Sequence, residues 1–352
     1  MAHQLPAGRR RREAPREEPD RRVPVTPDDA PDDVAAPGDD SDDGESGTLD
    51  AVAAVERALA RPAPDAVADR EQAVERVREA IRAAAEDVPS GDADDDARGG
   101  ADGSLAVAFS GGVDSALVAG LFDAPCYVVG FPGSHDVRAA RSAARAMDVD
   151  LTVVELDHDA LADAVPRVAR AIGRENAMAV QIALPLLLVA ERVAADGHDR
   201  LAVGQGADEL FGGYAKVAKA PTDPRVDADT VRGARDEMLR TLTDQLDRDV
   251  RALDAADVAP VAPLLDERVI DAARSLQGDL LVSERGERKF ALRLAAREWV
   301  PDGVAFREKK AVQYGSLVGR ELDRLARQAG FKRREDDHVT AYVRSRLRDG
   351  DR

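Results

Sequence analysis

The sequence predicts an α/β fold with a doubly wound parallel sheet and a helical C-terminal region. Two observations carry this prediction. Between about residues 100 and 218, four short runs are apolar throughout and alternate with stretches of helical periodicity, which is typical of parallel strands covered by helices on both faces. Two glycine-rich clusters each follow one of these runs directly. In a doubly wound sheet, loops at that position bind ligands.

The predicted elements divide the chain into a helical start, an α/β part and a helical end. The expected unit covers 49–350, with the nucleotide-binding part at about 100–218 and the helical part at about 219–350. The apolar runs predicted as strands are Leu105 to Phe109, Cys126 to Val129, Leu151 to Val154 and Leu201 to Val203. The spacing of apolar residues predicts helices at Leu49 to Arg61, Val67 to Ala85, Asp114 to Phe122, Val137 to Met147, Asp159 to Ile172, Ala177 to Ala195, Thr230 to Leu253, Arg268 to Leu276, Glu287 to Trp299 and Leu317 to Gln328.

The composition is strongly acidic. The 352 residues include 68 acidic and 50 basic ones, for a formal net charge of -18, and only six of the basic residues are lysines. Dense carboxylates with few lysines indicate a halophilic protein, adapted to high salt; an acidic protein encoded by GC-rich DNA is the alternative. The charge makes nucleic acid an improbable partner, because phosphate contacts need patches of Lys and Arg.

The N-terminal segment, the apolar runs and the cysteine content narrow the class of protein further. Residues 1–48 are rich in Arg, Pro, Asp and Gly, which predicts a disordered charged tail; a nucleic-acid arm is the less favoured interpretation of its arginine cluster. No run of 18 or more residues is apolar, so we expect a cytoplasmic protein with no membrane partner. The single Cys126 leaves no disulfide framework and no cysteine metal site.

The first glycine-rich cluster has the chemistry of a phosphate loop. It reads Ser110-Gly111-Gly112-Val113-Asp114-Ser115, between a predicted strand and a predicted helix. Two glycines let the backbone approach phosphate oxygens, and the N–H groups of the following helix turn are donors for an anion. Asp114 in this cradle repels phosphate unless it holds Mg²⁺, so a cation is implied.

The second cluster follows the fourth predicted strand and runs from Gly204-Gln205-Gly206 to Tyr214. Because the carboxyl ends of parallel strands converge on one crevice, we expect Asp208 to face Asp114 across a nucleotide. Two carboxylates brought together in this way suit shared Mg²⁺ ligation.

These motifs resemble those of a known superfamily and of one family within it. Ser110 to Ser115 resembles the pyrophosphate loop of the PP-loop ATP pyrophosphatases, which have an adenine nucleotide alpha hydrolase-like fold. Gly204 to Tyr214 is similar to the signature of the synthetase domain of glutamine-hydrolysing asparagine synthetases. Val129 to Asp136, Lys289 to Asp302 and Phe306 to Lys310 resemble further segments of that family, in the same order.

The resemblance implies a role for each matching residue. Ser110, Gly111, Gly112 and Ser115 are expected to bind pyrophosphate, and Gly130 and Ser134 to lie in the adenosine loop. Gly204 and Lys289 are implied as further ATP-binding residues. Asp114 and Asp208 are the implied Mg²⁺ ligands, and Lys309 is expected to stabilise the charge of the departing pyrophosphate.

Three departures from the family pattern bear on the reaction. The N-terminus carries Ala2 in place of a cysteine nucleophile, which implies free ammonia or a separate glutaminase subunit as the nitrogen source. Gln205 stands where the family has Glu, and an amide cannot accept a proton from an attacking amine. Ala259 and Val261 replace a Glu and an Arg, which leaves the identity of the carboxylate substrate open.

The function expected from the sequence is an ATP-dependent, AMP-forming ligase for asparagine and amino-acid biosynthesis. It adenylates a small carboxylate, with aspartate as the expected substrate, and Gln205, Asp208 and Lys309 are the expected catalytic residues. Two alternatives stay open: a PP-loop enzyme that modifies tRNA, and a non-catalytic regulatory subunit that binds nucleotide. The lack of a cysteine pair disfavours tRNA thiolation.

Overall fold

In a computed structural model of the chain, the structure describes residues 46–89, 104–221, 228–307, 316–332 and 337–350. Nearly all of the predicted tail at 1–48 lies outside these residues, and so do Lys309 and Lys310.

The centre of the fold is a five-stranded parallel sheet with the strand order β3-β2-β1-β4-β5. Its strands are β1 (Leu105–Ala108), β2 (Cys126–Gly130), β3 (Leu151–Glu155), β4 (Arg200–Ala202) and β5 (Ala259–Val261). Val107 pairs in register with Cys126 on one side and with Ala202 on the other, so β1 lies at the middle. The order reverses between β1 and β4, which makes this junction the switch point of a doubly wound sheet and confirms the predicted fold class.

Helices cover both faces of the sheet. They are α1 (Ser46–Ala60), α2 (Arg70–Glu86), α3 (Val113–Leu121), α4 (His135–Met147), α5 (His158–Ala171), α6 (Ala177–Ala195), α7 (Ala207–Leu210), α8 (Ala215–Lys219), α9 (Val231–Leu239), α10 (Leu242–Asp254), α11 (Glu267–Arg274), α12 (Gly278–Leu281), α13 (Phe290–Ala296), α14 (Asp302–Ala305), α15 (Val318–Gln328) and α16 (His338–Gly350), with a 3-10 turn at Pro263–Leu265.

The two faces follow from the alternation of side chains along each strand. Val107 and Val128 point to a core formed with α2, α3, α4, α11 and α13. Tyr127, Val129 and Leu201 point to the opposite core, formed mainly with α5, α6, α15 and α16. Because both faces of the central strands are covered, nearly every position of β1 and β2 can be apolar, and this is the pattern that the sequence shows.

The C-terminal half departs from the prediction in two places. It was expected to be entirely helical, but β5 extends the sheet from within it, because Leu201 pairs with Pro260 and Ala202 with Val261. The helix expected from Thr230 to Leu253 is two helices, α9 and α10. They separate at Thr241, whose N–H and hydroxyl both donate to the Met238 carbonyl and close the last turn of α9.

Within the described residues, α6 is the one helix whose length and composition would allow it to cross a membrane. Val180, Leu184 and Val193 on this helix are fully buried in the core against the sheet. This burial gives α6 the surroundings of a core helix.

Candidate nucleotide site

The phosphate loop connects β1 to α3 at the switch point. Gly112 precedes the helix and offers no side-chain cap, so the first N–H groups of α3 are left open toward the loop. The Ser115 hydroxyl accepts a hydrogen bond from the Ser110 N–H at 3.1 Å and donates to the Gly112 carbonyl at 3.2 Å. These bonds fold the loop back on the first turn of α3, where an anion would meet the positive end of the helix.

Gly111 and Gly204 let the backbone come close at this junction. Gly111 has a φ of +72°, and a Cβ there would lie 2.6 Å from the carbonyl oxygen of Ala139 in α4. A Cβ on Gly204, in the loop after β4, would lie 2.9 Å from the Cβ of Asp114. The phosphate loop can therefore pack on α4 because Gly111 lacks a side chain, and the loop after β4 can pack on Asp114 because Gly204 does.

A lysine from a distant part of the chain joins the two predicted metal ligands. Lys289 Nζ lies 2.7 Å from Asp114 Oδ2 and 2.8 Å from Asp208 Oδ1. Asp114 is in the first turn of α3, Asp208 is in α7, and Lys289 immediately precedes α13. The expectation that the carboxylates of Asp114 and Asp208 meet at the crevice agrees with this geometry.

The charge of Lys289 is set by these carboxylates. Burial alone lowers the pKa of the amine, but the attraction and hydrogen bonds of Asp114 and Asp208 outweigh it and raise the pKa above the ordinary value. Lys289 is therefore a buried, protonated cation. Asp114 Oδ1 is also buried and has no hydrogen-bond partner within the described chain, an arrangement that natural structures rarely leave without a reason.

Asp114 and Asp208 are the residues that would hold Mg²⁺. No group of three or more His, Cys, Asp or Glu side chains suited to a metal occurs within the described ranges. Mg²⁺ is often held by one or two carboxylates together with substrate phosphates, and the open oxygen of Asp114 fits that mode.

A cavity of about 580 Å³ opens at this cluster, which is the size expected for a small-molecule site. Seven of the residues predicted for the site line it: Ser110, Asp114, Ser115, Gly204, Gln205, Asp208 and Lys289. They come from the ends of two strands and from a loop some 80 residues further on, and the fold brings them together.

The other predicted residues are not part of the cavity lining or lie outside the described residues. Gly111, Gly112, Gly130 and Ser134 do not line the cavity. Ser134 caps α4, where its Oγ accepts the Val137 N–H at 3.3 Å, and Gly130 leaves room for it, since a Cβ there would lie 2.8 Å from that oxygen. Their binding roles stay predictions, as does that of Lys309, which lies outside the described residues.

The structure adds two hydrogen-bonded carboxylates to the cavity that sequence reasoning missed. The Tyr214 hydroxyl donates to Glu209, and burial raises the pKa of both groups. Gln205 Nε2 donates to Asp249 Oδ2 at 3.2 Å. Glu209 and Tyr214 lie in the Gly204–Tyr214 cluster and could have been found there. Asp249 lies in a helix with several charged residues and no recognisable motif.

The only cysteine of the chain is placed where it cannot act as a nucleophile. Cys126 is the first residue of β2 and is fully buried. Burial, helped by the charge of Asp150, raises the pKa of its thiol to about 12. The thiolate is the nucleophilic form, so Cys126 supplies no nucleophile at neutral pH.

The switch-point loop, the paired carboxylates and the parallel sheet define an α/β domain of the PP-loop type. A family model described as Asparagine synthase matches residues 96–239 and 222–347 of the chain. The chain belongs to the asparagine synthase family, and the resemblance seen in the sequence is confirmed.

Individual relatives agree with this assignment. The Methanocaldococcus jannaschii protein named "Putative asparagine synthetase (glutamine-hydrolyzing) 1" is 28% identical over 273 residues, which cover 68% of this chain and 50% of that relative. Asparagine synthetase B (glutamine-hydrolyzing) of Escherichia coli is 27% identical over 194 residues, 55% of this chain and 34% of the relative. The matched part of the chain thus spans half or less of each of these relatives.

Proposed function

We propose that the protein is an ATP-dependent ligase that adenylates aspartate and converts the adenylate to asparagine, with release of AMP and pyrophosphate. The nitrogen would come from free ammonia or from a separate glutaminase. The observation that carries the proposal is the Asp114–Lys289–Asp208 cluster, which lies beside the phosphate loop at the switch point and lines the cavity.

The first half of the reaction places negative charge next to this cluster. A carboxylate oxygen of the substrate attacks the α-phosphorus of ATP, a new O–P bond forms, and the bond to the bridging oxygen of the β-phosphate breaks. The protonated Lys289 and the open N–H groups of α3 would stabilise the charge that grows on the departing pyrophosphate. Mg²⁺ held by Asp114 and Asp208 would neutralise phosphate charge when bound. Lys309 is proposed to act on the same leaving group.

The second half joins nitrogen to the acyl carbon. Ammonia attacks the carbonyl carbon of the adenylate, the C–N bond forms, and the C–O bond to AMP breaks. The buried, weakly acidic thiol of Cys126 is not suited to open glutamine, so the proposal assigns this step to ammonia supplied to the synthetase site. The same property disfavours a thiolation reaction on tRNA.

Isotope exchange tests the proposal. Labelled pyrophosphate, ATP and Mg²⁺ are incubated with the protein and aspartate, with glutamate and with no acid in parallel. The expected result is label in ATP only when an accepted acid is present, with AMP as the product once ammonium is added. Formation of ADP alone contradicts the proposal, and nucleotide binding without exchange for any acid favours a regulatory subunit.

A pair of aspartate variants, one in α3 and one just after it, sharpens this experiment. Asp114→Asn removes a proposed Mg²⁺ ligand and should reduce exchange by at least about 100-fold, in the range seen when one charge-stabilising group is lost. Asp123→Asn is the control: it makes the same substitution at an exposed position just after the helix and should leave exchange unchanged.

A further inference from the structure

A carboxylate on α10 faces the loop that follows β4 inside the cavity. Asp249 is 8% exposed and lines the same cavity as Ser110 and Lys289. Its Oδ2 accepts the hydrogen bond from Gln205, and its Oδ1 accepts from Arg248 Nε and Nη2, each at 2.7 Å. Gln205 directly follows Gly204, which packs on Asp114. The pair therefore adjoins the predicted site of adenylation.

Three other carboxylates of the cavity are engaged elsewhere. Asp114 and Asp208 form ion pairs with the ammonium group of Lys289. Glu209 accepts a hydrogen bond from the hydroxyl of Tyr214. Gln205 carries an amide, which cannot take up a proton. The remaining carboxylate of the lining, Asp136, lies in the first turn of α4 after β2. Asp249 is the carboxylate that pairs with Gln205 in the loop after β4.

The surroundings of Asp249 make it a better base than an exposed carboxylate. Burial raises the pKa of Asp249, and although Arg248, Gln205 and Arg174 act against this, the net shift is upward. A base is most effective when its pKa approaches the working pH. The hydrogen bonds from Arg248 and Gln205 also fix the orientation of the carboxylate.

We propose that Asp249 is the general base of the amide-forming step and accepts the proton from ammonia as it attacks the acyl-adenylate. This inference rests on the proposed ligase function. The nitrogen lone pair forms the C–N bond, one N–H proton passes to the carboxylate of Asp249, and AMP leaves with the electron pair of the broken C–O bond. The neutral amide and protonated Asp249 remain, and the proton is then released to solvent.

Two assays on each variant separate the two halves of the reaction. Pyrophosphate exchange with the acid accepted by the wild type reports adenylation, and incorporation of ¹⁵N-ammonium into the amide reports the second step. Asp249→Asn should keep exchange within about threefold and lose amide formation by about 100-fold or more, the size expected for a lost general base. Asp247→Asn is the matched control, because Asp247 lies two residues away on α10 and pairs with Arg174 and Arg251; both activities should be unchanged.

A reciprocal exchange of side chains distinguishes a base from a structural partner. The double variant Gln205→Glu, Asp249→Asn keeps one amide and one carboxylate in the pair but moves the carboxylate to position 205. We expect it to recover at least a tenth of the amide formation that Asp249→Asn loses. A role limited to pairing with Arg248 predicts no recovery, because Arg248 still lacks its carboxylate.

The outcomes are distinguishable from failure of the proposed function. A wild type with no pyrophosphate exchange for any acid refutes the function and the inference with it. Exchange in the wild type combined with full amide formation by Asp249→Asn overturns the inference alone. Equal loss of exchange and amide formation in Asp249→Asn, or exchange in the wild type without amide from ammonium, also overturns it.

Discussion

Lys289→Met removes the one charge that the structure places between Asp114 and Asp208. Methionine keeps a similar length, and the strain of the left-handed backbone at this position, φ +56°, is common to both residues. The variant therefore tests the charge and not the shape of the side chain. It also separates the stability of the cluster from any effect of bound nucleotide, because it is measured without ligand.

The magnitude follows from the burial of each partner. The side chain of Asp114 is 12% exposed, whereas that of Asp208 is 47% exposed. Removing the cation leaves Asp114 as a buried charge without compensation, which costs about 3–5 kcal/mol. Asp208 can turn to solvent, so its pairing contributes about 1 kcal/mol or less. At about 2 °C per kcal/mol for a large domain, the Tm should fall by about 6–10 °C.

Double-mutant cycles in urea measure these terms one at a time. The cycle of Lys289→Met with Asp114→Asn should give a coupling of at least about 2 kcal/mol, and the cycle with Asp208→Asn about 1 kcal/mol or less. Lys216→Met serves as the control, because Lys216 is exposed on α8 and its replacement should change stability by no more than about 0.5 kcal/mol.

Two results would refute this reasoning. One is a loss of less than about 1 kcal/mol in Lys289→Met, which would mean that the buried pair does not hold the site together. The other is equal coupling of Lys289 to both carboxylates, which would mean that burial does not decide the strength of the pairing.

Three further substitutions test structural features outside the charged cluster. Gly111→Ala should cost more than about 2 kcal/mol and weaken ATP binding, because its Cβ would meet backbone at 2.6 Å in a left-handed conformation. Arg235→Met should cost about 2–4 kcal/mol in urea unfolding, since this fully buried guanidinium donates to the carbonyls of Leu210 and Ala273. Asp266→Ala removes the cap of α11 and should cost about 1 kcal/mol at pH 7.

The controls and the sign of the pH effect follow from the same features. Gly303→Ala meets no atom within 4 Å, so it should leave stability nearly unchanged; a loss like that of Gly111→Ala would contradict the steric argument.

Burial acts to raise the pKa of Asp266, but the hydrogen bonds from Arg268 outweigh burial and lower this pKa below its ordinary value. The stability that the ionised Asp266 side chain contributes is therefore fully present at pH values above the ordinary carboxyl pKa. It is lost as the pH falls through the lowered pKa of Asp266. A cost of Asp266→Ala that does not shrink in acid would contradict this.

Most of the sheet was predictable because its central strands are largely buried on both faces. Cys126 to Val129 is apolar without interruption and Leu151 to Val154 is interrupted only by Thr152, and the observed strands differ from the predicted ones by a residue or two at their ends. β5 escaped prediction because Ala259-Pro260-Val261 is short and contains a proline. Proline is tolerated there because β5 is an edge strand with only β4 as its neighbour.

The sequence predicted the candidate site residues that directly follow strands. It did not predict those that lie on helices from the C-terminal half of the chain. Asp114 and Asp208 were paired in advance because the ends of neighbouring parallel strands must converge. Asp249 has no such constraint. Its helix carries several acidic and basic residues, and only the packing of α10 against the loop after β4 turns one of those carboxylates toward Gln205.

The sequence by itself determined the strand and helix alternation, the glycine positions that bring two loops together, and the family. The first two are local properties, set by side-chain periodicity and by backbone conformations that only glycine adopts freely, and the family follows from the resemblance of the motifs and their order. The tertiary structure alone decided that Lys289 lies buried between two carboxylates and that Asp249 reaches the cavity. Contacts between residues more than forty positions apart depend on how helices pack on the sheet, and no local pattern encodes that packing.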